Sequence, residues 1–249
     1  LLSDVGNIAS FGEDGDGEIY VALFDGTIQK LVPVTGGSSD GAIPPLLSMT
    51  GCTSATDVKQ PASGLIPFGV NAPLWSDGAE KARWLALPDG ETIGITDAGD
   101  FDFPNGTVLM KEFRLGGKRI ETRLFVRHDD GKWAGYSYEW RDDESDAALL
   151  PDGKTKQVGA QTWSYPSRSD CLRCHTEAAG FSLGLELGQQ NGDYTYPGGT
   201  TANQLATLHH IGVLALAESP SKLAAYPSYA STAPIADRAR AYLHSNCSN

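Results

Sequence analysis

A mainly β chain with a small α part is what this sequence predicts: a remnant propeller hairpin, an antiparallel β-sandwich or barrel, and then a helical segment. Three observations carry that expectation. The 249 residues include 29 Gly and 14 Pro, which implies many turns and short strands rather than a helical bundle. From Leu65 to about Trp163, apolar and polar residues alternate with period two in run after run, the mark of half-buried strands. After Pro166 the alternation stops and apolar residues recur at helical spacing. With 40% hydrophobic and 20% charged residues, the composition is that of an ordinary globular chain, long enough for one large or two modest domains.

Taken in order, residues 1–33 read as the last strands of a β-propeller-like array. Glu18 to Phe24 alternates as a strand, Asp25-Gly26 is a type I′ hairpin signal, and Thr27 to Val32 returns as its partner. The acidic run from Glu13 to Glu18 invites a calcium reading, but its glycines and distal glutamate are out of register for an EF-hand loop, so a solvated turn is expected. Residues 34–64, with Gly36-Gly37-Ser38-Ser39, Pro44-Pro45 and Pro61, read as a linker that wraps rather than folds. Residues 65–165 form the antiparallel β domain. Its expected strands are Arg83 to Leu87, Glu91 to Ile95, Thr107 to Phe113, Ile120 to Arg127 and Lys132 to Trp140, with turns at Pro88-Asp89-Gly90 and Asp129-Asp130-Gly131. Trp75, Trp84, Trp133 and Trp140 fall inside this region and Trp163 closes it, so they are expected to form its core. In residues 166–249, Ser169 can cap a short helix, Gln204 to Leu216 spaces Leu205, Leu208 and Ile211 helically, and Ile235 to His244 makes a third helix.

The first of those helices carries Cys171-Leu172-Arg173-Cys174-His175. Cys-x-x-Cys-His is the attachment signature of a c-type haem. Two thiols add to the two vinyl groups of one porphyrin while the adjacent imidazole ligates its iron, and positions i, i+3 and i+4 share one helix face. A shuffled chain with 4 Cys and 5 His would carry the pattern about once in 800, so chance is a poor explanation. Three alternatives use the same cysteines: half of a zinc site, a thioredoxin-like dithiol and a structural disulfide. Cys52 and Cys247 stand alone rather than as a second pair, and the lead-in Tyr165-Pro166-Ser167 reads as a loop and cap rather than as the strand of a βαβ unit. Cys52 and Cys247 either bridge each other or, if the parent chain continues, Cys247 opens a second haem motif. For the sixth iron ligand the sequence offers Met49, Met110, His128, His209, His210 and His244; on a helical wheel His209 lies nearer the Leu205/Leu208 stripe than His210, which makes it the distal candidate.

A formal charge of −12 argues against nucleic acid or an anionic membrane surface as a partner and would steer in a basic redox partner, such as a basic cytochrome. No apolar run approaches the ~20 residues of a membrane span. The chain starts at Leu1 and stops just after Cys247, which leads us to expect a fragment or processed piece of a longer exported protein, periplasmic or secreted.

Ile8-Ala9-Ser10-Phe11-Gly12-Glu13-Asp14 with Gly17-Glu18-Ile19-Tyr20-Val21 resembles the last blade of soluble PQQ-dependent glucose/sorbosone dehydrogenases. Gly64-Leu65-Ile66-Pro67, Asn71-Ala72-Pro73-Leu74-Trp75-Ser76-Asp77-Gly78, Phe103-Pro104-Asn105-Gly106-Thr107-Val108 and Pro166-Ser167-Arg168-Ser169-Asp170-Cys171 resemble the haem-bearing C-terminal region fused to such propellers in bacterial exported proteins. Tyr242 to Cys247 resembles the opening of a second cytochrome domain. The resemblance implies a propeller oxidoreductase whose electrons leave through attached haem modules, with any PQQ site in the missing upstream propeller. It implies haem c on Cys171 and Cys174, with His175 as proximal ligand. The functions to be weighed are therefore an electron-transfer module, a haem enzyme with an open iron position, and a structural or interaction module with a Cys-x-x-Cys disulfide.

Overall fold

The structure is a computed structural model and describes residues 7–15, 17–31 and 43–247. It divides into two compact units, 1–43 and 44–249. In the first, β1 (Ile8–Glu13), β2 (Ile19–Leu23) and β3 (Ile28–Lys30) pair antiparallel in that order. Strand β2 alternates as its sequence does, with Val21 and Leu23 buried. The β2–β3 connection departs from the expected type I′ turn. Only Gly26 has a positive φ (+88°), Gly26 N–H donates to the Leu23 carbonyl (3.1 Å) and Leu23 N–H to that of Thr27 (2.8 Å), while the Asp25 carboxylate accepts from Thr27 N–H (2.9 Å). That is a type I turn followed by a glycine bulge, which the Asp25 side chain favours by bonding two residues ahead. The acidic run is a loop closed on itself, Asp14 accepting from Glu18 N–H (3.0 Å) and Tyr20 Oη (3.0 Å). The expected Gly36 to Ser39 linker and the end of the Thr27 to Val32 strand lie outside the described residues.

The second unit is built on β4 (Ile66–Pro67), β5 (Glu80–Ala86), β6 (Gly94–Ile95), β7 (Phe101–Asp102), β8 (Val108–Leu115), β9 (Lys118–Arg127), β10 (Trp133–Trp140), β11 (Ala147–Leu149), β12 (Lys154–Val158) and β13 (Gln161–Tyr165). It is mainly antiparallel β, as expected, yet not a closed barrel. Six strands form one open sheet in the order β11-β10-β9-β8-β5-β4, with β6-β7 and β12-β13 as separate two-stranded ribbons. The expected strand Glu91 to Ile95 shrinks to β6 because it pairs with its own hairpin partner, Gly94 opposite Asp102, rather than with the sheet. Gly116 and Gly117 (φ +56° and +79°) join β8 to β9 in a two-residue loop, the geometry that matches the sheet's right-handed twist. Residues 44–64 are drawn onto this unit: Leu47 is buried, and the Ser48 hydroxyl donates to Asp146 (2.7 Å).

Residues 166–249 are less helical than expected. Four helices, α1 (Arg168–Cys174), α2 (Leu187–Gln190), α3 (Gln204–His210) and α4 (Ile235–Cys247), alternate with loops and a small ribbon of β14 (Asp193–Thr195) and β15 (Thr201–Asn203). The helix expected from Gln204 to Leu216 stops at His210 because Gly212 turns the chain at φ +80°. The principal core lies between the sheet and these loops and joins Leu85, Phe125 and Trp133 to Phe101, Phe103, Leu185, Leu205, Leu208 and Leu214. A second, of Phe113, Ile120, Trp163 and Tyr165, fills the space under β12-β13. Trp133, Trp140 and Trp163 are buried as expected. Trp75 is not: it is 66% exposed, on a loop whose backbone is tied through Trp75 N–H to Asn246 (3.1 Å). No helix among the described residues is long and apolar enough to cross a membrane.

Candidate haem-binding cavity

The sheet face that carries Leu85, Leu109 and Phe125 opens beside the principal core into a cavity of about 410 Å³, bordered by Cys171, Cys174 and His175 together. That volume lies within the ordinary range of ligand pockets, ~300–1,000 Å³. Helix α1 reaches it for local reasons. Ser167, rather than Ser169, is the N-cap: its hydroxyl accepts from Asp170 N–H (3.2 Å) while the Asp170 carboxylate accepts from Ser167 N–H (3.1 Å), a reciprocal capping box. His175 is the C-cap residue, its N–H still bonded to the Cys171 carbonyl (3.0 Å), so the i, i+3, i+4 arrangement survives although the helix ends there. The helix rests on β10 at Gly135. A Cβ added at Gly135 would stand 2.5 Å from Cys171 Sγ and 2.7 Å from its Cβ, so only glycine admits this approach.

The next turn of chain fixes His175. Thr176 caps a short turn over Glu177–Ala179, and Gly180 (φ +62°) and Phe181 (φ +57°) then swing the backbone back in succession. The Phe181 carbonyl thereby accepts a hydrogen bond from His175 Nδ1 (2.5 Å). A carbonyl can only accept, so the proton is on Nδ1 and Nε2 keeps its lone pair, as in a histidine whose free nitrogen can bind a metal. Burial, with the Lys111 ammonium as second cause, holds the imidazole down to about 4, so it is neutral at physiological pH. The Phe125 ring lies 4.2 Å from the imidazole and stacks on Trp133 at 4.9 Å, tying the imidazole to the core.

All four cysteines are free, Cys171 half-buried and Cys174 exposed. Burial raises the Cys171 thiol above its ordinary range, which keeps it protonated at neutral pH. Cys52 is buried and Cys247 exposed, and they do not bridge each other. The described residues contain no group of three or more His, Cys, Asp or Glu able to hold a metal ion, which a zinc centre would require. Haem iron asks less of the protein, since the porphyrin supplies four donors. Strand β13 enters α1 from an antiparallel ribbon, so the βαβ context of a redox dithiol is missing too. Two free thiols, an imidazole with an open nitrogen and an aromatic wall in one cavity fit a covalently attached haem.

The structure separates the candidates for a second axial ligand. His209 is exposed and its Nδ1 bonds the Leu214 carbonyl (3.0 Å); it is not at the cavity, because the Leu205/Leu208 face of α3 turns into the core away from it. Met49 and His210 are exposed, and His128 bonds the Tyr136 hydroxyl (2.8 Å). Only His244 and Met110 border the cavity. His244 Nε2 is 2.8 Å from Glu186, and the pleat puts the Met110 side chain on the opposite sheet face from Lys111.

Sequence reading missed the cavity floor, where Arg83, Lys111 and Arg123 lie, and it missed Gly135. Burial pushes Lys111 down to about 7 and Arg83 down to about 10. Between pH 7 and 8.5 the unfolded chain therefore holds a proton at Lys111 that the folded one has begun to lose, and stability rises with pH through that window. Denaturant titrations of the haem-free chain at pH 6.5, 7.5 and 8.5 are expected to show this rise, and Lys111→Met to flatten it while stabilising the chain at pH 6.5. Equal slopes in the two proteins would disprove the assignment.

Compared with family models, with curated proteins and with solved structures, the chain matches none.

Proposed function

We propose that residues 44–249 form an electron-transfer module of an exported oxidoreductase, in the periplasm or outside the cell, holding one haem c through Cys171 and Cys174 with His175 as its proximal ligand. One observation carries the reading: the Nδ1 proton of His175 is committed to the Phe181 carbonyl, leaving Nε2 as a donor in a cavity that both thiols border. Cys171 and Cys174 would each hold the macrocycle through a thioether, an S–C bond gained for a vinyl π bond lost, with the sulfur proton passing to the neighbouring carbon, so that no oxidant would be needed. Bound haem supplies a one-electron Fe(III)/Fe(II) couple. The chain orients the imidazole, walls one side with Phe125 and keeps the ligand neutral. Its acidic surface favours a basic redox partner.

A second reading, a haem protein with an open iron position, is favoured by the engagement of His244 with Glu186 and by the orientation of Met110. Both readings predict that the chain, made in a host with a working cytochrome c maturation system, carries haem through a denaturing gel. Cys171→Ala/Cys174→Ala together are expected to abolish that band. A colourless wild-type protein from such a host ends both readings. Added carbon monoxide separates them: an unchanged reduced spectrum supports the carrier, and a rapid full shift supports the open iron.

A further inference from the structure

Arg83 on β5, Lys111 on β8 and Arg123 on β9 face one another directly in the ladder and border the same cavity. Directly opposed residues have Cβ atoms ~4.5–5.5 Å apart, and like charges so placed repel. Arg123 is neutralised by Glu121, through Nε–Oε1 at 2.7 Å and Nη2–Oε2 at 2.9 Å. Neighbouring Lys81 donates to the Leu74 carbonyl. Arg83 and Lys111 have no such relief: among the described residues neither side chain makes a hydrogen bond or an ion pair. The carboxylates that border the cavity are engaged elsewhere or out of reach. Asp170 bonds Ser167 (2.7 Å), Glu186 bonds His244 (2.8 Å) and Tyr226 (3.0 Å), and Asp100 lies beyond ion-pair distance of both cations.

Both cations are half-buried, with their charged atoms open to the cavity and no carboxylate among the described residues paired with either, so two like charges face each other across the ladder until an anion enters beside them. Burial depresses the pKa of both groups, and at Lys111 the neighbouring Arg83 and Arg123 add to the fall. We propose that Arg83 and Lys111 bind the two propionate carboxylates of the haem attached at Cys171 and Cys174, an assignment that rests on the haem reading above. The number and sign of charges agree, two cations for two carboxylates. The guanidinium can take its carboxylate bidentately while the ammonium acts as a compact point charge. The row then also sets the potential, because positive charge beside the macrocycle favours the reduced state.

The test uses the mature chain, with Arg83→Gln and Lys111→Met set against the charge-conserving Arg83→Lys and Lys111→Arg. Each neutral variant is expected to keep its covalent haem on a denaturing gel and to lower the midpoint potential, with the reduction equilibrium shifted about tenfold, ~59 mV for one electron. The conservative variants should stay near the wild-type value. A neutral variant that fails to mature while its conservative counterpart matures normally also supports the assignment. Neutral variants with the wild-type potential overturn it, and so does failure of both members of a pair, which would mark a packing role. A wild-type chain without covalent haem instead overturns the proposed function, so the two failures are distinct.

Discussion

Gly135→Ala is expected to unseat α1 from the sheet and, on the proposed function, to prevent complete haem attachment. The added methyl carbon would enter the space of Cys171 Sγ and Cβ, and Phe125 at 3.5 Å leaves it no other way to go. The backbone at Gly135 does not have a positive φ, so overpacking rather than torsion sets the cost, about 1–3 kcal/mol. For a unit of this size each kcal/mol lowers Tm by about 2–4 °C. The larger effect is chemical, because Cys171 must move outward. Mass spectrometry of the haem peptide is expected to show a singly attached or unmodified form in place of the doubly attached one. A Gly135→Ala protein with wild-type Tm and two thioethers would refute the contact.

Glu121→Ala is expected to destabilise the β domain strongly. Glu121 has 0% exposure and is bonded on every side: Arg123 holds both oxygens, Ser137 Oγ donates at 2.6 Å and Trp163 Nε1 at 2.9 Å. Removing one partner of a buried pair costs about 3–5 kcal/mol, and the partial exposure of Arg123 puts this case near the lower end. The loss would also leave Arg123 uncompensated beside Lys111 and Arg83. Denaturant unfolding should register about 3 kcal/mol, with a smaller loss for Glu121→Gln, which keeps the shape and the hydrogen-bond acceptor. A loss under about 1 kcal/mol for Glu121→Ala would show that the network contributes little.

The strands were legible because alternation reports which residues face a core, and Lys132 to Trp140 and Ile120 to Arg127 form close to where their patterns begin and end. Alternation says nothing about partners, which is why Glu91 to Ile95 looked like a sheet strand and formed a small ribbon. The cysteine pair and His175 were legible because their spacing alone brings them together. His209 was misplaced because a helical wheel knows which residues share a side but not which neighbour that side meets. The cation row depends on a register between three strands far apart in the chain, and Lys111 in isolation looks like any strand lysine. Gly135 carries no positive-φ requirement to announce it, so its importance emerges only when the helix is seen lying against it.

Phe181 answers two demands that pull apart. Its left-handed torsion aims the carbonyl at His175, a conformation comfortable for glycine or asparagine and strained for a bulky ring. Its ring, meanwhile, packs against the principal core. Exchanges that relax the backbone give up the aromatic anchor, and those that retain the anchor retain the twist. The imidazole's aim is thus written into the main chain a short way downstream, at a position with no neutral substitute.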